Sequence, residues 1–231
     1  MINVNNQIIS RPDSVSTALT SRDHHRTDWY NNGGKRFFDI TISLIALSII
    51  LPALAILGLI IFAQDKGKPF FIHSRVGQEG KSFGCIKMRS MVMNAEERLK
   101  DILADSPEKQ QEWSQTQKLN DDPRITRLGN ILRKTSLDEL PQLFNVLRGE
   151  MSLVGPRPIV RDELPRYGKD ADTYLKLRPG LTGLWQTTGR NDVSYQERVD
   201  MDVAYSRNMS FVEDLRIMVM TIVTMLKRTG R

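Results

Sequence analysis

Two adjacent carboxylates, Asp138 and Glu139, closely follow a pair of cations, Arg133 and Lys134. Neighbouring carboxylates repel each other, and both stay ionised only where a divalent cation, nearby arginines or a helix N-terminus offsets that repulsion. Carboxylate oxygens are ligands that Mg²⁺ prefers. The pair therefore predicts a functional site with Mg²⁺ beside it.

A purely structural interpretation of the same residues stays open. Ser136 and Glu139 have the spacing of a capping box, in which Glu139 would only tie back to the Ser136 amide. In that register Pro141 would be the fifth helical residue, and its missing N–H would leave the Leu137 carbonyl without its usual partner. Such a local fault is more expected at a functional site than at a plain cap.

Arginines set among prolines and glycines indicate a site for phosphate groups. A planar guanidinium that a stiff loop holds in place can bind phosphate through two hydrogen bonds. Three loops and the end of a predicted hairpin supply the candidate ligands: Lys87, Arg89, Arg157, Pro158, Arg178, Gly189, Arg190 and Asn191. Together they predict a pocket for a substrate with more than one phosphate.

The stretch from Ile40 to Gln64 carries no charge and is almost entirely apolar. Its length and purity predict a membrane segment rather than a buried core helix. Pro52 lies at its centre and removes one backbone hydrogen bond, which leaves two interpretations open: a re-entrant hairpin that enters one leaflet and returns, or a single-pass helix with a kink. Equal numbers of Lys and Arg on the two flanks favour the hairpin.

Composition sets the organisation of the rest of the chain. A single cysteine, Cys85, excludes an internal disulfide and fits a reducing cytoplasm. The net charge of +6 suits anionic partners, either phosphates or lipid headgroups, while interleaved acids and few aromatic residues argue against nucleic acid. We expect a mobile tail over residues 1–34, the re-entrant segment over 35–64 and one soluble domain over 65–231.

Three elements of that domain can be placed from the sequence. Residues 69–88 predict a β-hairpin around the turn at 77–81, and residues 126–134 predict a short amphipathic helix. The last helix, from Phe211 to about Lys227, is apolar around much of its circumference and ends in basic residues. It can fill the core or lie in the membrane interface, and we expect the interface.

These strings together resemble the bacterial sugar transferases, the small monotopic phosphoglycosyltransferases that act on polyprenyl phosphates. The resemblance runs from Lys35 to the C-terminus and rests on five motifs: Lys35-Arg36-x-x-Asp39, Lys87-Met88-Arg89-Ser90-Met91, Ser136-Leu137-Asp138-Glu139-Leu140-Pro141-Gln142, Leu153-Val154-Gly155-Pro156-Arg157-Pro158, and Arg178-Pro179-Gly180-Leu181-Thr182-Gly183 before Gly189-Arg190-Asn191. The chain looks most similar to the undecaprenyl-phosphate galactose phosphotransferases that begin exopolysaccharide synthesis. Many members have Ser-Pro at the membrane break, whereas Leu51 precedes Pro52 here and Ser48 lies one turn earlier.

The resemblance implies an α/β, mainly helical cytoplasmic domain, held at the bacterial inner membrane by one re-entrant helix-break-helix and by interfacial amphipathic helices. It implies that Asp138 attacks the sugar-proximal phosphorus of a UDP-sugar, that UMP leaves, and that undecaprenyl phosphate then takes the phospho-sugar from Asp138. Glu139 would bind Mg²⁺ or accept a proton, and Asp202 would lie near the metal. Arg133 would join Arg157 and Arg190 in neutralising the diphosphate.

Several alternatives stay open at this point. Glucose competes with galactose as the transferred sugar, because the two differ only in the orientation of one hydroxyl. A ternary-complex route would make Asp138 only a metal ligand. A protein of another class, a membrane-anchored basic binding protein without chemistry, would use the arginine loops to grip headgroups. Other exopolysaccharide assembly enzymes are expected partners, and a homodimer is one option for the oligomeric state.

Overall fold

The computed structural model describes residues 29–116, 119–188 and 193–226. In these ranges the chain is mainly helical with two small two-stranded sheets, which confirms the mainly helical α/β domain. The elements in chain order are α1 Lys35–Asp65, β1 Phe70–Val76, β2 Ser82–Met88, α2 Ala95–Asp105, α3 Pro107–Thr116, α4 Arg127–Thr135, α5 Gln142–Arg148, β3 Ser152–Val154, α6 Ala171–Lys176, β4 Gly180–Thr182, α7 Leu184–Thr188, α8 Tyr195–Asn208 and α9 Phe211–Leu226. Short 3₁₀ segments lie at Gln78–Gly80, Leu137–Glu139 and Arg161–Asp170.

The apolar segment forms one helix of 31 residues, α1, which continues through Pro52. By length and composition the helical stretch Tyr30–Asp65 is able to cross a membrane. Because Pro52 has no N–H, the Ser48 carbonyl lacks its usual helical partner, while the Ser48 hydroxyl donates to the Ile45 carbonyl at 2.8 Å. The helical structure has no gap at Leu51 and Pro52, and the re-entrant course stays a prediction.

One side of α1 packs along its length against the domain that follows it. Its buried residues recur every three to seven positions on one helical face: Asp39, Ser43, Leu47, Leu54, Gly58 and Ile61. The opposite side exposes large apolar side chains: Leu44, Ile45, Ile49, Leu51, Ile56, Leu59 and Ile60. Both ends are tied to the same domain.

The two ties of α1 are polar. Near its start, Arg36 donates to the Val146 and Leu147 carbonyls at 2.5 and 2.9 Å. At its end, Asp65 pairs with Arg89 at 2.5 Å. Because the partners at both ends belong to one domain, both ends of α1 are held against that domain.

The predicted hairpin is confirmed. Strands β1 and β2 pair in antiparallel fashion with Phe71 opposite Lys87 and Arg75 opposite Phe83. The Asn145 side chain substitutes for a third strand along β2, because its Oδ1 accepts from the Ile86 amide at 3.0 Å and its Nδ2 donates to the Gly84 carbonyl at 2.8 Å. The hairpin is therefore fixed against α5.

A second, parallel pair of strands, β3 and β4, holds the loop that carries Arg157. The Gly155 amide donates to the Thr182 carbonyl at 2.9 Å, and the Gly180 amide donates to the Pro156 carbonyl at 2.7 Å. A Cβ atom at Gly180 would lie 2.2 Å from the Gly155 nitrogen, so only glycine permits this approach. The backbone on both sides of Arg157 is thus held in place.

A buried carboxylate, Asp214, joins the start of α1 to α9. It accepts hydrogen bonds from the Tyr30 and Tyr205 hydroxyls at 2.6 and 2.7 Å and pairs with Lys35 at 2.5 Å. Within the segment expected to be a mobile tail, 1–34, Tyr30 is 1% exposed and therefore packs on the domain, whereas Trp29 is exposed. Residues 1–28 of that segment lie outside the described residues.

Helix α9 has one buried side and one exposed apolar side. Ile217 is fully buried in the core, whereas the exposed side carries Phe211, Val212, Leu215, Val219, Ile222 and Val223. The exposed side suits the predicted place in a membrane interface, which stays a prediction. Lys227, at the predicted basic end, lies outside the described residues.

Candidate active site

The two carboxylates lie on the short 3₁₀ segment Leu137–Glu139, between α4 and α5. Ser136 precedes it in the left-handed conformation, with a φ of 58°, and makes no side-chain cap, so the capping-box interpretation is wrong. Helix α5 begins only at Gln142, with Pro141 before it. The sequence predicts that Pro141 leaves the Leu137 carbonyl without a partner inside a helix. Instead the chain makes a tight turn, in which this carbonyl accepts from the Leu140 amide at 3.4 Å.

Asp138 is a buried carboxylate, 9% exposed. Burial, followed by the negative charge of Glu139, raises its pKa to about 6, while Lys87 and Arg133 act in the opposite direction. The Arg133 guanidinium is oriented by its Nε, which donates to the Ser90 hydroxyl at 2.8 Å. Asp138 thus holds its proton more tightly than an ordinary aspartate does.

Glu139, the next residue, has the opposite electrostatics. Burial favours its neutral form, but the Lys87 ammonium, with further help from Arg157 and Arg75, outweighs burial and holds the pKa of Glu139 below its usual value. The Lys87 Nζ lies 2.6 Å from the Glu139 Oε1. The two neighbouring carboxylates therefore differ in charge state over a window of mildly acidic pH.

A cleft opens beside Glu139 and brings together four predicted site residues. Lys87, Glu139, Arg157 and Pro158 line it. Sequence reasoning missed the other residues of the lining: Arg75, Cys85, Gln142, Gly180, Leu181 and Gln186. The buried thiol of Cys85 lies in this cleft with a pKa that burial raises.

Arg75 is the most informative of the residues that were missed. It lies on the same face of the hairpin as Lys87, and strand alternation could have revealed it. Burial, and then repulsion from Arg157, lowers its pKa. One Arg75 Nη lies 3.3 Å from the His73 Nδ1, and no described carboxylate forms an ion pair with Arg75. Two guanidinium groups thus face one cleft with little compensating negative charge.

Stacking holds the Arg157 guanidinium in place. Its central carbon lies 5.5 Å from the centre of the Trp185 ring, and the guanidinium of Arg198 lies 4.8 Å from the same ring. Trp185 itself is buried. The aromatic ring therefore interacts with two cations, and this interaction restricts the direction of Arg157.

Three predicted phosphate ligands, Arg89, Arg133 and Arg178, do not line the cleft. Arg89 pairs with Asp65 at the end of α1. The Arg178 Nε donates to the Gly149 carbonyl at 2.9 Å, and Arg178 lines a second cavity. The remaining predicted ligands, Gly189, Arg190 and Asn191, lie outside the described residues.

Asp202, the third predicted metal ligand, is 4% exposed and accepts from the Tyr167 hydroxyl at 2.8 Å. Burial raises its pKa to about 7. Among residues 29–116, 119–188 and 193–226, no three His, Cys, Asp or Glu side chains form a group that could hold a metal ion. Asp138 and Glu139 still fit Mg²⁺ chemically, since this ion is often bound by one or two carboxylates together with substrate phosphates.

Comparisons with known proteins place this chain in a family. The model of the family described as "Bacterial sugar transferase" matches residues 30–228. The chain is 52% identical over 196 residues to "UDP-galactose-lipid carrier transferase" of Erwinia amylovora and 52% identical over 196 residues to "Undecaprenyl-phosphate galactose phosphotransferase" of Salmonella typhimurium, in each case covering 85% of this chain and 41% of the relative. It is 50% identical over 189 residues to "Exopolysaccharide production protein ExoY" of Sinorhizobium fredii, covering 81% of this chain and 83% of the relative.

The chain thus spans less than half the length of the first two relatives and most of the third. The family match includes α1 and Asp138, and it also includes the hairpin, Glu139 and the Arg157 loop, which line the cleft. The chain belongs to the bacterial sugar transferase family.

Proposed function

We propose that this protein transfers a sugar 1-phosphate, galactose 1-phosphate in the first instance, from a UDP-sugar to undecaprenyl phosphate and releases UMP. Two relatives carry names that state a galactose carrier-lipid transfer, and a third is named for exopolysaccharide production. The proposed role is the first membrane step of exopolysaccharide synthesis. UDP-glucose remains the alternative donor.

One observation carries this proposal: a buried Asp138 with a raised pKa lies next to an anionic Glu139 that borders a cleft with two weakly compensated arginines. The cations Arg75, Arg157 and Lys87 would bind the diphosphate of the donor. They would reduce the repulsion between that diphosphate and an incoming carboxylate, and such charge stabilisation accounts for most catalysis of phosphoryl transfer.

In the first step the Asp138 carboxylate attacks the sugar-proximal phosphorus. A new bond forms between a carboxylate oxygen and this phosphorus, and the bond from phosphorus to the bridging oxygen breaks, so UMP leaves with that oxygen. In the second step an oxygen of undecaprenyl phosphate attacks the same phosphorus and frees the carboxylate. No redox change occurs, and no water enters either step.

Glu139 suits an electrostatic role better than that of a base. Its pKa is held low, so it accepts a proton weakly near neutral pH. It would keep Lys87 in position and, with Asp138, provide carboxylate oxygens for Mg²⁺, which would neutralise diphosphate charge when bound. Asp202, bonded to Tyr167, fits a structural role in the folded domain.

We further propose that α1 enters the inner membrane from the cytoplasmic side and returns to the same side. Both of its ends are tied to one domain, by Arg36 and by Asp65, while its opposite side exposes apolar residues. Bending at Pro52 would let the two arms enter a single leaflet, and the exposed side of α9 would lie along the interface. The carboxylate pair would then lie at the level of the lipid phosphate.

A screen of UDP-sugars tests the proposal. Purified protein in detergent with Mg²⁺ is expected to release UMP from UDP-galactose. Release beyond a single turnover should occur only when undecaprenyl phosphate is present. If none of the nucleotide sugars yields UMP, the result would favour the binding-protein alternative.

A further inference from the structure

The second cavity lies at the opposite end of α5 from the carboxylate pair. Gln142, the first residue of α5, lines the cleft, whereas the carbonyls of Val146 and Leu147, near the end of α5, hold Arg36, which lines the second cavity. The seven residues of α5 rise roughly 10 Å, so the two sites are separate. The second cavity measures about 340 Å³, against about 70 Å³ for the cleft.

The lining of this cavity has a surplus of positive charge. It contains four cations and one carboxylate: Lys35, Arg36, Lys176, Arg178 and Asp39. Two of the cations are engaged elsewhere, since Lys35 pairs with Asp214 and Arg36 donates to carbonyls of α5. The carboxylate is engaged as well, because the Asp39 Oδ1 accepts from the Leu153 amide at 3.1 Å.

The two other cations have donors to spare. Arg178 uses its Nε toward the Gly149 carbonyl, and no described residue accepts from its two Nη groups. Lys176 is exposed, and its ammonium group forms no ion pair within the described part of the chain. Glu79, a carboxylate close enough to feel the charge of Arg178, is paired with Lys81 at 2.6 Å. The Arg178 Nη groups and the Lys176 ammonium group are therefore available to bind an anion.

The position of the cavity indicates where that anion comes from. It lies beside the start of α1, immediately before the uncharged stretch that begins at Ile40. Trp29 and Phe37, on either side of the lining residue Gly33, are 65% and 69% exposed. Exposed aromatic rings next to Lys and Arg at the end of an apolar helix are typical of the headgroup layer of a membrane.

We propose that this cavity binds the phosphate group of a membrane lipid, with Arg178 and Lys176 as its ligands. The Arg178 Nη groups can donate to two phosphate oxygens, and the Lys176 ammonium adds a point charge. An anionic phospholipid and a polyprenyl phosphate share this chemistry. The inference rests on the proposed membrane placement of α1, and it does not depend on the chemistry at Asp138.

Native mass spectrometry of the full chain, released from detergent micelles, tests the proposal. Three probes are titrated separately: phosphatidylglycerol, farnesyl phosphate and inorganic phosphate. The test variant is Lys176→Gln with Arg178→Gln. Its matched control, Lys169→Gln with Arg207→Gln, also removes one lysine and one arginine, and both control residues are exposed and lie outside the cavity lining.

We expect one bound lipid per chain, with an affinity that falls about tenfold or more in the test variant and stays within about twofold in the control. Phosphatidylglycerol binding would identify a phospholipid site, and selective farnesyl phosphate binding would identify the acceptor's phosphate. Equal losses in both double variants, or binding of inorganic phosphate without preference for either lipid, would overturn the proposal. Lys176→Gln alone keeps the Arg178 bond to Gly149, so a partial loss of affinity in this variant cannot result from breaking that bond.

The same measurement separates this inference from the proposed reaction. Lipid retention is read without donor substrate, so it can succeed in a protein that transfers no sugar phosphate. Conversely, the enzyme could be active while the Arg178 and Lys176 substitutions leave lipid retention unchanged. That result would support the proposed reaction and overturn this lipid site.

Discussion

The Lys87 ammonium lies 2.6 Å from the Glu139 carboxylate, whereas Asp138, the adjacent residue, forms no ion pair within the described part of the chain. Lys87 holds the pKa of Glu139 low, while burial and the charge of Glu139 raise the pKa of Asp138 to about 6. The proposed nucleophile, Asp138, is therefore without an ion-pair partner among the described residues, whereas Glu139 is paired with Lys87.

Replacing Asp138 by Asn removes the proposed nucleophile while keeping its shape. Wild-type protein incubated with UDP-[¹⁴C]galactose and Mg²⁺, without lipid, is expected to retain label after denaturation, and Asp138→Asn to retain none. Overall turnover should fall about 10³-fold or more. Glu139→Gln is the matched control and should slow labelling without abolishing it. Wild-type protein that carries no label would instead support the ternary-complex route.

The pH dependence of donor cleavage should report the Asp138 titration. Attack requires the ionised carboxylate, so single-turnover release of UMP should rise with pH and level off above a midpoint near 6. Lys87 lowers the pKa of Asp138, and Lys87→Met should therefore move the midpoint to higher pH. Lys134→Met removes a neighbouring exposed charge and should leave the midpoint in place. A midpoint that ignores Lys87 would contradict this assignment.

Trp185 is expected to act as a positioning residue for Arg157. Its indole Nε1 is buried without a hydrogen-bond partner in the described structure, so Trp185→Phe removes no bond and keeps an aromatic ring under the guanidinium. Trp185→Leu removes the ring. The KM for the UDP-sugar should rise about fivefold in the Leu variant, with a smaller change in kcat, and should stay near the wild-type value in the Phe variant. Equal KM values in the two variants would show that stacking does not position Arg157.

Asp202 should make the folded state sensitive to pH. Its folded-state pKa of about 7 lies above the unfolded value of about 3.9, so the folded protein binds the proton more tightly. The contribution of Asp202 to stability is therefore fully present below about pH 4 and is lost as pH rises through about 7. Asp202→Asn keeps an acceptor for the Tyr167 hydroxyl and should unfold in urea with higher stability than wild type at pH 8, and with little difference at pH 4.5.

The same variant separates a structural role of Asp202 from a metal role. If Asp202 only supports the fold, Asp202→Asn should keep its Mg²⁺ dependence of turnover. A large rise in the Mg²⁺ concentration needed for half-maximal activity would instead return Asp202 to the metal site.

Local patterns in the sequence predict the elements of this protein better than they predict the direction of individual side chains. The hairpin, the short amphipathic helix α4 and the clustering of Lys87, Glu139, Arg157 and Pro158 follow from alternation, amphipathicity and loop chemistry. Arg89 illustrates the limit. It follows Lys87 by two positions and would share its face in a continued strand, but β2 ends at Met88, and Arg89 turns to pair with Asp65.

Arg178 and Arg75 show the same limit from two sides. A loop of proline and glycine fixes an arginine without saying which cavity it faces, and Arg178 faces the one at the far end of α5. Arg75 lies inside β1, two residues before Gly77, and strand alternation with the hairpin register places it on the face of Lys87. That this face borders the cleft follows from packing. Both placements depend on tertiary packing, which a local pattern does not contain.

The stripe of α1 that packs on the domain has a practical consequence for anyone who wants a water-soluble version of this protein. Truncation before β1 would strip the cover from Phe83, Leu143, Met88 and Leu132, which share core clusters with Leu47, Leu54 and Ile61 of α1. The remaining protein would expose an apolar groove and should aggregate. Solubilising substitutions belong instead on the outward residues of the helix, such as Ile49, Ile56 and Leu59, which contribute nothing to that interior.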